Sequence, residues 1–143
     1  MSDVDNSLAV RFAGAARSRE SWAQLLKFAI VGGSGYLINL GVFAFLSGNL
    51  GVFHEIAAIG AFCVAVTSNF LWNRYWTFGP GEGLAHQQAA RFFAVSLASL
   101  ALNLAVLEAI VASSSISELA AQAIAVAVAM PFNFLGNKLW TFA

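Results

Sequence analysis

Charge is scarce in this sequence. Asp, Glu, Lys and Arg make up 10% of its 143 residues, and seven basic residues balance seven acidic ones. Soluble domains carry about a quarter charged residues, so water is not the expected solvent of this chain. With zero net charge there is no basic field for nucleic acid to follow, and none is expected as a partner. Cysteine occurs once, Cys63, within an apolar run. That excludes a disulfide framework and a Cys-based metal site and leaves packing as its expected role. The two histidines, His54 and His86, fall in different loops, and no two carboxylates share a helical spacing. Neither a hydrolytic nor a metal centre can be assembled from such a set, so no cofactor and no enzymatic activity are expected. Ten-residue stretches of alternating polarity are also missing, which argues against a transmembrane barrel.

What the sequence has is apolar length. Hydrophobic residues account for 59% of it, and four runs, about residues 25–47, 55–78, 89–112 and 119–142, are long enough to cross a hydrocarbon core of roughly 30 Å as helices. The expected fold is an all-α integral membrane protein of four transmembrane helices. Residues 1–20 carry acidic and basic groups among small side chains, with no continuous apolar core of a signal peptide. They are expected to form a mobile cytosolic tail, the alternative being a short amphipathic surface helix from Leu8 to Trp22. Residues 21–143 form the membrane domain. The basic residues are one-sided: Arg11, Arg17 and Arg19 precede the first run, Lys27 lies at its start, Arg74 and Arg91 flank the middle loop, Lys138 lies near the end of the last run, and the other two loops have none. The excess of cations on the cytosolic side then predicts a multi-pass protein of the cytoplasmic membrane with both termini inside.

Shifted by 64 residues, the sequence matches itself. Residues 69–78 (Asn-Phe-Leu-Trp-Asn-Arg-Tyr-Trp-Thr-Phe) fall on 133–142 (Asn-Phe-Leu-Gly-Asn-Lys-Leu-Trp-Thr-Phe) with seven of ten positions identical. The same shift lays Lys27-Phe28 on Arg91-Phe92, Val31 on Val95 and Asn39-Leu40 on Asn103-Leu104. The expected architecture is a duplicated two-helix unit, repeats about 25–78 and 89–142. An even number of crossings per unit makes the repeats parallel, related by an axis along the membrane normal. Ala57, Ala61 and Ala65, and likewise Ala121, Ala125 and Ala129, recur every fourth residue. Such small-residue stripes are expected at helix contacts, as are Gly32, Gly33, Gly35 and Gly41.

Three sets of residues invite a functional reading. Amides in hydrocarbon need partners, so Asn39, Asn69, Asn73, Asn103, Asn133 and Asn137 are expected inside the bundle, as structural hydrogen-bonding groups, as substrate contacts, or both. In an α-helix Asn69, Asn73 and Trp76 share a face, and Asn133, Asn137 and Trp140 repeat it. Lys27, Arg74, Arg91 and Lys138 lie near the cytosolic boundary. Snorkelling explains each alone, whereas four together would suit a lipid phosphate. Trp76 and Trp140 belong to an aromatic cluster suited to interfacial anchoring or to stacking on a sugar. Glu108 is either a snorkelling carboxylate or a proton or substrate contact. Pro131, just before Asn133, removes a helical hydrogen bond that Thr67 retains in the first repeat.

Four short-looped helices, the opening Lys27-Phe28 before a Gly-rich helix, and the twin Asn-Phe…Arg/Lys…Trp-Thr-Phe endings resemble the GtrA-like membrane proteins over about residues 25–142. The resemblance implies flipping of a polyprenyl-phosphate-linked monosaccharide to the outer leaflet for cell-surface polysaccharide. In such a role the cations Lys27, Arg74, Arg91 and Lys138 are expected on the phosphate and the Asn and Trp residues on the sugar. It also implies association with a polyprenyl-phosphate glycosyltransferase, and an accessory scaffold for such a transferase is the alternative function. A small multidrug exporter is a third reading, but it needs an acidic residue deeper than Glu108. Four helices enclose little volume, so a homo-oligomer, dimer or tetramer, embedded among membrane lipids is expected. Gly136 in place of Trp72, and Leu139 in place of Tyr75, set the two halves apart.

Overall fold

The structure is a computed structural model that describes residues 6–7, 9–11, 13–14 and 18–143. The tail expected over residues 1–20 and the alternative surface helix from Leu8 to Trp22 lie largely outside the described residues. No strand occurs among the described residues. Among the described residues four long helices stand out: α1 Arg19–Ala44, α2 His54–Trp72, α3 Ala85–Ser113 and α4 Glu118–Gly136. Three of them end in a wide, π-helical turn, at Phe45–Asn49, Asn73–Thr77 and Asn137–Thr141. Counting those turns, the helices run 31, 24, 29 and 24 residues. At 1.5 Å per residue even the short ones reach about 36 Å and can cross a bilayer. Helices suit that setting because each satisfies its own backbone where no water can.

Helices α1 and α3 begin earlier than the apolar runs suggest, at Arg19 rather than 25 and at Ala85 rather than 89. Polar residues supply the missing turns. Ser18 caps α1 by accepting a hydrogen bond from the Ser21 N–H at 3.1 Å, and Glu20 in the first turn complements the helix dipole. Before α3 the buried Gln88 donates from Nε2 to the Pro80 carbonyl at 2.9 Å, folding the incoming loop onto the first turn. Ser117 caps α4 by accepting from the Ala120 N–H.

The chain divides into two compact units, Met1–Gly79 and Pro80–Ala143. Each is an antiparallel helical hairpin, α1 with α2 and α3 with α4. Their seams are made of small residues. Ala57 and Ala61 are fully buried and Ala65 nearly so; Ala121, Ala125 and Ala129 repeat that pattern. Gly35 sits against Asn69, where a Cβ would overlap the carboxamide, and Gly136 sits against Val95, where a Cβ would lie 2.9 Å from Cγ1. Gly32, Gly33 and Gly41 have nothing within 4 Å of the Cβ position, so they do not serve the hairpin seam. Large apolar side chains point away from the seams instead: Leu37, Ile59, Leu100 and Phe132 are all exposed, a distribution that suits an apolar solvent. Cys63, expected to pack, is exposed as well. A small apolar thiol is as compatible with hydrocarbon as with a helix contact.

Candidate functional site

Each hairpin gathers its cations at its open end. Lys27, in the third turn of α1, reaches across to α2: Nζ donates to the Trp76 carbonyl over a long 3.4 Å and lies 5.4 Å from the indole centroid. In the second hairpin Arg91 Nη1 donates to the Trp140 carbonyl at 3.1 Å, with its guanidinium carbon 5.6 Å from that indole. Behind each contact two rings hold the helices together, Phe28 with Phe78 at 6.1 Å and Phe92 with Phe142 at 6.3 Å. The carbonyls being contacted belong to a helix C-terminus, the negative end of its dipole, so a cation there stabilises the helix. Lys27 and Arg91 therefore have a structural task that sequence spacing did not reveal. An ammonium has three donors and a guanidinium five, and the carbonyl contact occupies one of each. Arg74 and Lys138 lie in the wide turns themselves, over Tyr75 at 5.5 Å and over Phe134 at 5.7 Å.

Those wide turns separate the Asn and Trp residues. In an α-helix each residue advances 100°, which would put Trp76 with Asn69 and Asn73. Here Phe78 N–H bonds the Asn73 carbonyl and Phe142 N–H bonds the Asn137 carbonyl, both at 2.9 Å and five residues apart. A turn closed one residue later returns its fourth residue, not its third, to the starting face. Thr77 and Thr141 are accordingly buried with Asn73 and Asn137, all four at 4% exposure or less, while Trp76 and Trp140 face outward at 41% and 51%.

The buried groups form a polar interior in each hairpin. Asn137 Nδ2 donates to both the carbonyl and the Oδ1 of Asn133, at 2.9 and 2.8 Å. Among the described residues the Oδ1 atoms of Asn69, Asn73 and Asn137 and the hydroxyls of Thr77 and Thr141 have no hydrogen-bond partner. Buried acceptors without partners are uncommon, since each costs about 1–3 kcal/mol, and they mark places where a polar ligand would be favoured. Asn103 is buried with Ser99 one turn before it, and Asn39 is half-buried. Along the helix axis Asn103 lies about 18 Å beyond Arg91, and Asn39 as far beyond Lys27. Glu108 is exposed, with no ion pair among the described residues. Pro131 lies within α4 on its exposed side.

Two polar pairs were missed by reading for asparagine and charge. Gln24 and Gln88 stand 64 residues apart, as do Thr77 and Thr141. Gln88 is buried, and so is the Gln24 Oε1, which has no partner among the described residues. Recurrence at the repeat offset was the signal that pointed to them. The first hairpin also carries a groove of about 320 Å³ lined by Ile30, Val31, Ser34, Ile38, Trp72 and Trp76.

Comparison with known proteins places this arrangement. The family model for the GtrA/DPMS transmembrane domain matches residues 27–142. The chain is 38% identical over 81 residues to the dolichol-phosphate mannosyltransferase of Pyrococcus furiosus, a match covering 56% of this chain and 23% of that protein. It is 28% identical over 124 residues to the uncharacterized membrane protein YngA of Bacillus subtilis, covering 87% of this chain and 82% of the relative. The matched segment is thus under a quarter of the mannosyltransferase but most of YngA.

Proposed function

We propose, for a chain that belongs to the GtrA/DPMS transmembrane-domain family, that it carries a polyprenyl-phosphate-linked monosaccharide across the cytoplasmic membrane for surface polysaccharide synthesis. The observation that carries this reading is the cation-on-tryptophan contact at the open end of each hairpin, Lys27 with Trp76 and Arg91 with Trp140, backed by buried acceptors that lack partners. With both termini in the cytosol, these ends meet the leaflet facing the cytosolic supply of activated sugars. Lys27 and Arg91, joined by Arg74 and Lys138, hold the phosphate by charge-assisted hydrogen bonds. Sugar hydroxyls donate to the Asn and Thr oxygens of the interior, replacing the water they give up on leaving the headgroup layer. Indole faces offer an apolar plane for the pyranose, and most of the prenyl tail stays in lipid. Two hairpins enclose little volume, so the working unit is a dimer or tetramer.

Reconstitution tests the proposal. Vesicles containing the folded protein should move a polyprenyl-phosphate mannose to the opposite leaflet, where an impermeant oxidant destroys it, faster than protein-free vesicles. Arg74→Gln with Lys138→Gln should slow that transfer while leaving membrane insertion unchanged. Absence of transfer by folded, oligomeric protein would sink the transport reading. A second reading is favoured by the match to a segment of a longer mannosyltransferase: a scaffold that holds a glycosyltransferase at its lipid substrate. It predicts that the transferase co-purifies with this chain and loses activity without it.

A further inference from the structure

We infer that the two hairpins divide the lipid unequally, the first alone seating the leading isoprene units of the phosphorylated lipid in its groove. This rests on the lipid-phosphate reading above. On α1 the groove residues Ile30, Val31, Ser34 and Ile38 continue the stripe that begins at Lys27, at spacings of three, four, seven and eleven residues. Its other wall is the pair Trp72 and Trp76, packed edge to face with centroids 6.3 Å apart. Trp76 is also the ring beneath Lys27, so the cation stands at one end of the apolar trough. The Ser34 hydroxyl on this wall donates to the Val31 carbonyl of its own helix at 2.7 Å, and the other lining side chains are aliphatic or indole. The trough therefore offers mainly apolar contact.

Its size fits one chain. From Ile30 to Ile38 the wall runs about 12 Å along the helix, and 320 Å³ holds roughly ten methylene-sized groups by the volume a water occupies in the liquid. A polyprenyl phosphate, bare or joined to a sugar through its phosphate, has one chain and one phosphate, matching one trough and one ammonium. A diacyl phospholipid would leave its second chain unplaced. The second hairpin has no equivalent wall. Gly136 stands where the first has Trp72, with Val95 against it where a side chain would begin, and Ala94 and Ala98 replace Ile30 and Ser34.

Photolabelling of the full chain in nanodiscs decides the matter, using geranyl phosphate with a diazirine at its distal end, and phosphatidic acid with a diazirine in one acyl chain. The geranyl probe should label residues 30–38 and 72–76 and leave 94–102 and 136–140 at background. Ser34→Phe should lower the yield about tenfold, the cost of keeping two methylenes out of the groove, and Ala98→Phe should not. Lys27→Gln should abolish the preference for geranyl phosphate over geraniol. Where Ser34→Phe fails to fold, Trp72→Gly, which removes a wall, should lower the yield instead. Equal labelling of both hairpins, equally strong labelling by phosphatidic acid, or cross-links between two copies through these residues would overturn the inference. Labelling confined to the first hairpin without leaflet transfer would overturn the transport reading alone. Transfer with evenly spread label would overturn only the division of labour.

Discussion

Glycine 35 and asparagine 69 meet where the two helices of the first hairpin cross, and no other glycine of α1 is so placed. Adding a methyl group at Gly35 must displace the Asn69 carboxamide, whereas Gly32 and Gly33 have open space. Gly35→Ala is expected to cost about 1–3 kcal/mol by overpacking, and Gly33→Ala close to nothing, in reversible unfolding from mixed micelles. In an Asn69→Ala background the cost of Gly35→Ala should vanish, because the two residues are coupled through one contact. The paired asparagines make a second contrast. Asn137 donates twice to Asn133, but Asn73 makes no such bond among the described residues. Asn137→Leu should therefore destabilise by about 1 kcal/mol, within the range for hydrogen bonds inside membranes. Asn73→Leu should be neutral or stabilising, since it removes a buried acceptor that lacks a partner. If stability rises while transfer falls, Asn73 is kept for its ligand rather than for the fold.

Among the elements, the wide turns are where sequence reading and structure part. Helix spans and the alanine seams were legible, because hydropathy and a four-residue spacing report them directly. The burial of Thr77 and Thr141 in place of Trp76 and Trp140 was not, because a face assignment assumes an unbroken α-helical period. Nor were the partners of Lys27 and Arg91, each joined to a carbonyl 49 residues away through a helix crossing that no local pattern encodes. The contacts make an element-scale prediction. Lys27→Gln should speed amide exchange in Asn73–Phe78, and Arg91→Gln should do so in Asn137–Phe142, each leaving the other turn unchanged. The loss combines a helix-end charge with a cation over indole, about 0.3–1 kcal/mol apiece. The shorter Arg91 contact should give the larger effect.

For the whole molecule, the placement of charge makes orientation testable. Cations occupy the open end of each hairpin, and the loops at residues 50–53 and 114–117 contain neither Lys nor Arg. With Cys63→Ser as background, a cysteine at Gly51 or Ser115 should react with an impermeant maleimide from outside intact cells. One at Glu82 should react only after lysis. The opposite pattern would put the Trp-Thr-Phe endings on the outer face and remove the basis for capturing a lipid-linked sugar from the cytosol. At this scale the sequence spoke through its repeat, since the offset of 64 residues that aligns the motifs also aligns the cation, ring and wide-turn contacts.

The wide turn at Phe45–Asn49 has no partner in α3, which stays α-helical through Ser113. Yet the element boundaries still coincide at that offset: Asn49 with Ser113, His54 with Glu118, Thr77 with Thr141. No residue separates the two hairpins in length over this stretch. Their differences in winding, in the Trp72 wall and in the Gly136 contact involve no insertion or deletion there, so a residue of either hairpin can be exchanged for its counterpart without shifting the register.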